Sequence, residues 1–408
     1  GLSRDSMREF ADLIARAKSA VFVWSMGITQ HPHGGDGVQM ILNLALTRGF
    51  LGREHCGVMP IRGHSSVQGG AEMGAYATAL PGGLPITPEN CAVLGKHYGF
   101  EIPEWPGLTA TEMVEASARG ELDVLYCLGG NFLRTLPEPD YVARAMEKVP
   151  LRVHQDIILT DQMFLEPGQE VILLPAKTRY EQDDGGTETS TERRVMFSPE
   201  LPRQIGECRA EWKILRELAV AVFPERAHLL GCETGGQMRE EIARVVPMYD
   251  GIQQLGKTGD AFQYGGPHLC ADGVCPTADG RAHLIAPNLP APRPTDGRLL
   301  ASTRRGKQFN TLIYADIDPI TGAARDAVFM SAEDAAKHHL KQEDPVTLVN
   351  ELGRYEGRVF LAAIAPGNLQ IMWPEGNIII RRGVVDAAGG VPDYNAWVRI
   401  EKATSTIR

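Results

Sequence analysis

Over residues 1–200, short apolar runs alternate with amphipathic stretches, and each apolar run gives way to glycine or polar residues. That alternation constrains the fold more than any other property of the chain. A short apolar run, a few turn residues and then an i, i+3, i+4, i+7 apolar pattern predict strand, loop and helix. Repeated, the unit predicts an α/β fold with a mainly parallel, Rossmann-like sheet. The predicted strands cover residues 20–24, 123–128, 151–156 and 170–174, and the predicted helices 3–17, 37–47 and 139–148. On the first helix Met7, Phe10, Leu13 and Ile14 share one side, and Ser3 is placed to cap it. Open parallel sheets bind ligands outside the carboxyl ends of their strands. The loops at residues 27–30, 129–131 and 155–156 are therefore expected to line one crevice. No GxGxxG accompanies them, so the ordinary dinucleotide fingerprint is missing.

The second half reads differently. Residues 205–260 predict helices at 211–222 and 238–246, and residues 262–300, rich in Gly, Pro and Ala, a long connecting segment. From about residue 308 the pattern becomes short strands, at 311–314, 345–350, 357–362, 370–373, 378–381 and 396–401, with one helix at 332–339. Short strands with regular turn signals predict a small, six-stranded type of β-barrel. The expected organisation is an α/β domain over 1–204, a helical and Gly/Pro-rich region over 205–300, and a barrel domain over 301–408.

The formal net charge of -10 argues against a general nucleic-acid binder, which needs a basic face, and leaves room for a local basic pocket for phosphates. Apolar runs are far too short to span a bilayer. Seven scattered cysteines contain no CxxC pair, so neither a zinc knuckle nor an iron–sulfur cluster is encoded here, and a reducing, cytoplasmic setting is expected. Cys270 and Cys275 stand five apart, a spacing that serves either as a weak metal clip or as plain buried and surface thiols. His31 and His33 have HxH spacing but no third ligand in view, which favours solvated histidines.

Residues 60–74 hold an arginine, a histidine, two serines and a glutamine among glycines. Glycine lets backbone turn sharply and lets a ligand approach closely. The polar side chains offer donors to an anion or a polar heterocycle.

The order of several motifs resembles the large subunit of molybdopterin oxidoreductases, in the formate dehydrogenase alpha-subunit-like branch. The carrying segments are residues 26–30, 43–49, 57–63, 67–69 and 73–74, then 129–131, 155–156, 186–187 and 192–194, and finally 305–310, 373–377 and 392–395. The resemblance implies a bis-molybdopterin guanine dinucleotide cofactor with molybdenum or tungsten. It further implies a small substrate, formate among the candidates, and an electron-transfer partner subunit. It also implies an amino-terminal region with a 4Fe–4S cluster and the metal's protein ligand. That region is expected to precede the present residues, so this stretch alone is expected to be inactive, and a non-catalytic pterin-binding module is the alternative reading.

Within that resemblance, Arg62 matches the arginine beside the metal, where a guanidinium would hold a carboxylate by paired hydrogen bonds; a loop-holding role is the alternative. His64 stands where formate dehydrogenases carry glutamine, and would either move a proton or hydrogen-bond a pterin. Gly27, Gln30 and Gln68 would line the pterin, with a surface turn as the alternative for Gln30, and Gly129, Asn131, Gln155 and Asp156 the dinucleotide, with a helix cap as the alternative for Asp156. Thr187 and Arg193 fall in a segment that would cover the cofactor or else lie as a solvated loop. In the barrel Lys307, Gln308, Asn310, Asn377, Tyr394 and Asn395 would face the cofactor, with a plain structural turn as the alternative for Tyr394 and Asn395, and Arg305 would help Lys307 neutralise phosphate.

Overall fold

The computed structural model describes residues 2–62, 66–229, 232–287, 290–291, 296–306 and 315–402. The chain forms two compact units. The first comprises Gly1–Thr29, Gly34–Leu108 and Ala176–Asn288; the second comprises Gln30–His33, Thr109–Pro175 and Leu289–Arg408. Strands are numbered along the chain.

In the first unit the helix Arg4–Arg16 starts where Ser3 accepts from the Ser6 amide at 3.1 Å. Strands β1 (Val21–Trp24) and β2 (Gly57–Pro60) pair in parallel, with the helix Gly34–Thr47 between them in sequence. Ile14, Ala45 and Phe50 form the buried core there, with Phe22, Leu44 and Val58 packed on it. A short hairpin of two-residue strands, β3 (Ala79–Leu80) and β4 (Leu84–Pro85), follows.

The second unit takes up the next stretch. Strands β5 (Val124–Leu128), β6 (Leu151–Asp156) and β7 (Glu170–Pro175) form a parallel sheet in the order β5-β6-β7. The helix Ala110–Arg119 begins with a capping box: the Thr109 amide donates to Glu112 at 2.8 Å, and the Thr109 hydroxyl accepts from the Glu112 amide. Its Val114 packs with Leu125 and Cys127 of β5 and with Val142, Ala145 and Met146 of the helix Pro139–Glu147.

Back in the first unit, β8 (Gly186–Thr189), β9 (Arg194–Ser198) and β10 (Ala261–Gln263) form an antiparallel sheet in the order β10-β9-β8. Val195 and Phe197 cover a core with Val246, Tyr249, Ile252 and Tyr264. The helices Glu211–Val222 and Gly235–Val245 lie between β9 and β10 in sequence.

The barrel belongs to the second unit. Its strands are β11 (Leu299–Arg304), β12 (Ala327–Met330), β13 (Pro345–Val349), β14 (Arg354–Leu361), β15 (Asn368–Met372) and β16 (Asn395–Lys402). They close in the order β11-β15-β12-β14-β13-β16. Two pairs, β11 with β15 and β12 with β14, are parallel, and the others antiparallel. Val328, Val346, Leu348, Val359, Leu369, Ile371 and Val398 are fully buried within it. Each such side chain contributes about 1.5–3 kcal/mol.

The architecture is thus mixed α/β with parallel sheets and a closed six-stranded barrel, as the periodicity predicted. Details differ. The apolar run at 378–381, expected as a strand, instead continues a 3-10 helix, Glu375–Ile379. Pro374 and Gly376 turn the chain there, leaving Ile378 exposed while Ile379 and Ile380 are buried. Strands β11 and β12 were not anticipated, and part of the segment read as a cover or solvated loop is the β8–β9 hairpin. The expected strand at 311–314 lies outside the described residues.

Candidate functional site

Parallel pairing brings the carboxyl ends of β1 and β2 to one edge, with Trp24 opposite Pro60. The Ile61 amide continues the ladder to the Trp24 carbonyl at 2.7 Å, and the Ser25 hydroxyl donates to the Ile61 carbonyl at 2.9 Å. Arg62 follows directly. Its Nη1 donates to the Pro60 carbonyl at 3.3 Å, and it lines a cavity of about 330 Å³. Ser66, Gln68, Glu188, Ser190 and Glu192 share that lining. Ser66 sits at φ 63°, a left-handed conformation, at the entry to the helix Val67–Glu72. That helix approaches β8 closely enough that a Cβ on Gly69 would lie 2.9 Å from Thr189 Oγ1. A side chain there would have to displace Thr189 or Ser66, so contact rather than backbone angle favours glycine.

Gln68 is held from below. Its amide nitrogen donates to Glu72 and to Tyr264 Oη at 3.3 Å, so the group's remaining capacity is its acceptor oxygen. Glu72 also accepts from the hydroxyls of Tyr249, at 2.5 Å, and Tyr264. Tyr249 meets Thr189 Oγ1 at 2.7 Å and stacks on Tyr264 with ring centroids 5.1 Å apart. Burial, then the hydrogen bond to Glu72, pushes both phenols well above the usual tyrosine range.

Around the cavity, Thr187 lies in β8 opposite Phe197. Arg193, at φ 64°, occupies the β8–β9 turn. Its guanidinium donates to the carbonyls of Tyr264 at 2.6 Å and Gly266 at 3.1 Å, so it ties the hairpin to residues 264–266. Glu188 is paired with Arg179. The Glu192 carboxyl is held low by the Ser190 hydroxyl and by its own amide. Gly27 stands exposed in the short helix Met26–Thr29, with open space where a Cβ would be.

In the second unit, the ends of β5 and β6 carry four of the expected residues. The Gly129 amide donates to the Gln155 carbonyl at 2.8 Å, and Tyr126 Oη donates to Gln155 Oε1 at 2.6 Å. Gly129 and Gly130 have φ of 66° and 73°, and nothing lies within 4 Å of a Cβ built on either. Asn131 caps the short helix Phe132–Thr135 by accepting from the Arg134 amide at 3.2 Å, and donates to Asp161 at 2.7 Å. Asp156 accepts from the Ile157 amide at 2.7 Å; burial raises its carboxyl, against the pull of the Ile157 and Ile158 amides. The cap expected as its alternative role is thus made to the loop after β6, not to a helix.

Below this edge Arg152 is fully buried and donates to the carbonyls of Leu165 and Glu166, at 2.7 and 2.8 Å. His154 is equally buried, and neither ring nitrogen has a hydrogen-bond partner among the described residues. Burial, with the Arg152 charge adding to it, pulls its imidazole down to about 4.

The barrel residues converge on the same short helix. Tyr394 Oη donates to the Thr135 carbonyl at 2.6 Å, and Asn377 Nδ2 to the carbonyls of Arg134 and Leu136 at 2.8 and 3.2 Å. The Gln30 carbonyl accepts from the Tyr394 amide and from Asn395 Nδ2, both at 3.3 Å. The Arg305 guanidinium lies 4.1 Å from the Trp373 ring centroid and 6.0 Å from that of Tyr394. The structure therefore gathers Gln30, Asn377, Tyr394 and Asn395 about the helix that Asn131 caps, and Arg62 and Gln68 about one cavity, with Thr187 and Arg193 in the same unit but not in that lining. His64, Lys307, Gln308 and Asn310 lie outside the described residues. Sequence reasoning missed Glu72, Tyr249 and Tyr264. The one available signal was Glu72 standing one helical turn after Gln68.

The fold defines a mixed α/β class in which parallel sheets with polar strand-end loops accompany a closed six-stranded barrel. The sequence profile of the molybdopterin oxidoreductases matches residues 4–221, and the chain belongs to that family. Protein YdeP of Escherichia coli strain K12 is 29% identical over 422 residues, covering 97% of this chain and 54% of that protein. The F420-dependent formate dehydrogenase subunit alpha of Methanocaldococcus jannaschii is 31% identical over 253 residues, covering 62% of this chain and 36% of its own length. The chain spans about half the length of the first of these relatives. Acetylene hydratase from Pelobacter acetylenicus superposes with a TM-score of 0.49 at 15% identity, over 72% of this chain and 46% of that one. Among the described residues no helix is long and apolar enough to cross a membrane.

The residues present fit a molybdopterin cofactor. The open, positive-φ Gly129–Gly130 turn admits a bulky group against backbone, and Asp156 beside it offers a hydrogen-bond acceptor to polar N–H and O–H groups.

Proposed function

We propose that the chain is the pterin-holding portion of a molybdenum or tungsten oxidoreductase that oxidises a small carboxylate, formate first, and passes electrons to an iron–sulfur relay and a partner subunit. The observation that carries this reading is the cavity that gathers Arg62, Ser66 and Gln68 behind the β1–β2 edge. A guanidinium there can take a carboxylate by two parallel hydrogen bonds and fix its orientation. Gln68, its nitrogen already committed, can add a neutral acceptor. His64, next but one after Arg62 in sequence, is the proposed proton acceptor. The relative named as a formate dehydrogenase alpha subunit supports formate as the first substrate to try.

The cofactor proposed is the bis-guanine-dinucleotide form, with Gly129, Asn131, Gln155 and Asp156 at one dinucleotide and Gln30, Tyr394, Asn395 and Arg305 near the other. Lys307, Gln308 and Asn310 join the proposal on sequence grounds, as do Gly27, Thr187, Arg193 and Asn377. When bound, that group supplies the two-electron acceptor for oxidation of formate to carbon dioxide and a proton. The 4Fe–4S cluster and the metal's protein ligand are proposed to come from residues outside this stretch, and the setting is proposed to be cytoplasmic. The α/β region over 1–204, the linking region over 205–300 and the barrel over 301–408 remain the proposed domain plan.

Metal analysis of the full-length protein, paired with formate-dependent dye reduction, tests the reading. Molybdenum or tungsten with iron and turnover is expected, and Arg62→Lys should lower kcat/KM for formate by about 100-fold, as loss of bidentate orientation does. Full-length protein without either metal sinks it. Pterin-loaded protein that reduces no dye with formate points to the non-catalytic module instead.

A further inference from the structure

The segment from Tyr264 to Ile285 runs as a strap between two anchors in the first unit. Upstream, Arg193 donates to the carbonyls of Tyr264 and Gly266. Downstream, Asn43 of the helix Gly34–Thr47 donates to the Ile285 carbonyl at 2.5 Å and accepts from its amide at 3.2 Å. Between these anchors the chain folds back on itself. The Gly273 amide donates to the Cys270 carbonyl at 3.0 Å, and the Cys275 amide to the Gly280 carbonyl at 2.9 Å. The turn packs on the loop that leads towards β2, where a Cβ on Gly52 would lie 2.2 Å from the Cys270 carbonyl oxygen.

That turn sets the Sγ atoms of Cys270 and Cys275 2.7 Å apart, well inside the contact distance of two sulfurs. Both thiols are free, Cys275 buried and Cys270 half-buried. No group of three or more His, Cys, Asp or Glu side chains among the described residues could hold a metal ion, so the pair lacks the further ligands a thiophilic metal takes. From this juxtaposition we infer that Cys270 and Cys275 are a reversible dithiol–disulfide site, oxidised by exchange with a small-molecule disulfide such as oxidised glutathione.

The exchange has two steps. The more accessible Cys270, as thiolate, attacks one sulfur of the external disulfide; a mixed disulfide forms and one thiolate leaves. Cys275, as thiolate, then attacks the Cys270 sulfur, closes the internal bond and releases the second small thiolate. The protein loses two protons and two electrons, and the external disulfide gains both as two thiols. Burial, then the hydrogen bond and charge of Cys275, pushes the Cys270 thiol up to about 11. Exchange is therefore slow at neutral pH and quickens with the thiolate fraction.

The test is thiol counting on the folded chain after equilibration with excess oxidised glutathione. The free thiols should fall by two from seven, and digestion should yield one internally linked peptide carrying Cys270 and Cys275. Cys270→Ser and Cys275→Ser should each abolish that linkage, and the rate should rise about tenfold per pH unit between 7 and 9. Seven thiols remaining under the same poise, or linkage through any other pair, overturns the assignment. So does a rate that does not change with pH.

Discussion

His154 sits wholly inside the second unit with no hydrogen-bond partner for either ring nitrogen among the described residues. It is neutral in the fold because burial beside Arg152 pulls its imidazole down to about 4. An unfolded chain binds that proton near pH 6.5, so the stability from keeping it neutral is complete above about 6.5 and drains away as pH falls towards 4. The native chain should lose about 2–3 kcal/mol more than His154→Leu over that window, read as the difference between their urea melts. Parallel pH profiles would refute it. At the same scale the sequence was informative about which polar residues end strands, since Gln155 and Asp156 stand at the end of β6 as expected. It could not disclose what those side chains touch. The fold aims the Asn377 amide at the carbonyls of Arg134 and Leu136, contacts that no neighbouring residue in sequence announces. Partners 243 and 241 residues away leave no local trace.

Among the elements, β14 carries a sharp constraint. A Cβ on Gly357 would lie 2.4 Å from the Asp326 carbonyl oxygen and 2.8 Å from Val328 Cγ2. Because backbone is the nearest obstacle, Gly357→Ala must move β12 or β14, and we expect a loss of about 1–3 kcal/mol in urea unfolding. A neutral substitution would show that the barrel wall yields there. Elements were legible where periodicity and punctuation agreed: β6 and the helix Glu211–Val222 have the bounds that their apolar patterns predict. They were illegible where a strand is four residues long and fully buried, as in β12, since Ala-Val-Phe-Met has no alternation to read. The isoleucine run after Gly376 failed for the opposite reason. Three apolar residues imitate a strand, yet a 3-10 turn places them on different sides.

For the molecule as a whole, each unit has its own buried core, the barrel cluster in one and the Val195–Tyr264 cluster in the other. Calorimetry of the chain should show two heat-absorption peaks rather than one. Gly357→Ala should lower only one of them. Glu72→Ala, which strips the acceptor from Tyr249, Tyr264 and Gln68, should lower the other. A single peak moved by both substitutions would refute independent melting. The first unit is also assembled from three separated stretches, with Thr109–Pro175 of its neighbour lying between two of them. A chain leaving the ribosome therefore exposes β1, β2 and the Arg62 loop long before β8–β10 are translated. While Thr109–Pro175 is being made, Gln68 and Glu72 are already out without their Tyr249 and Tyr264 partners, so that surface stays open to misassociation until the far side of its own unit arrives.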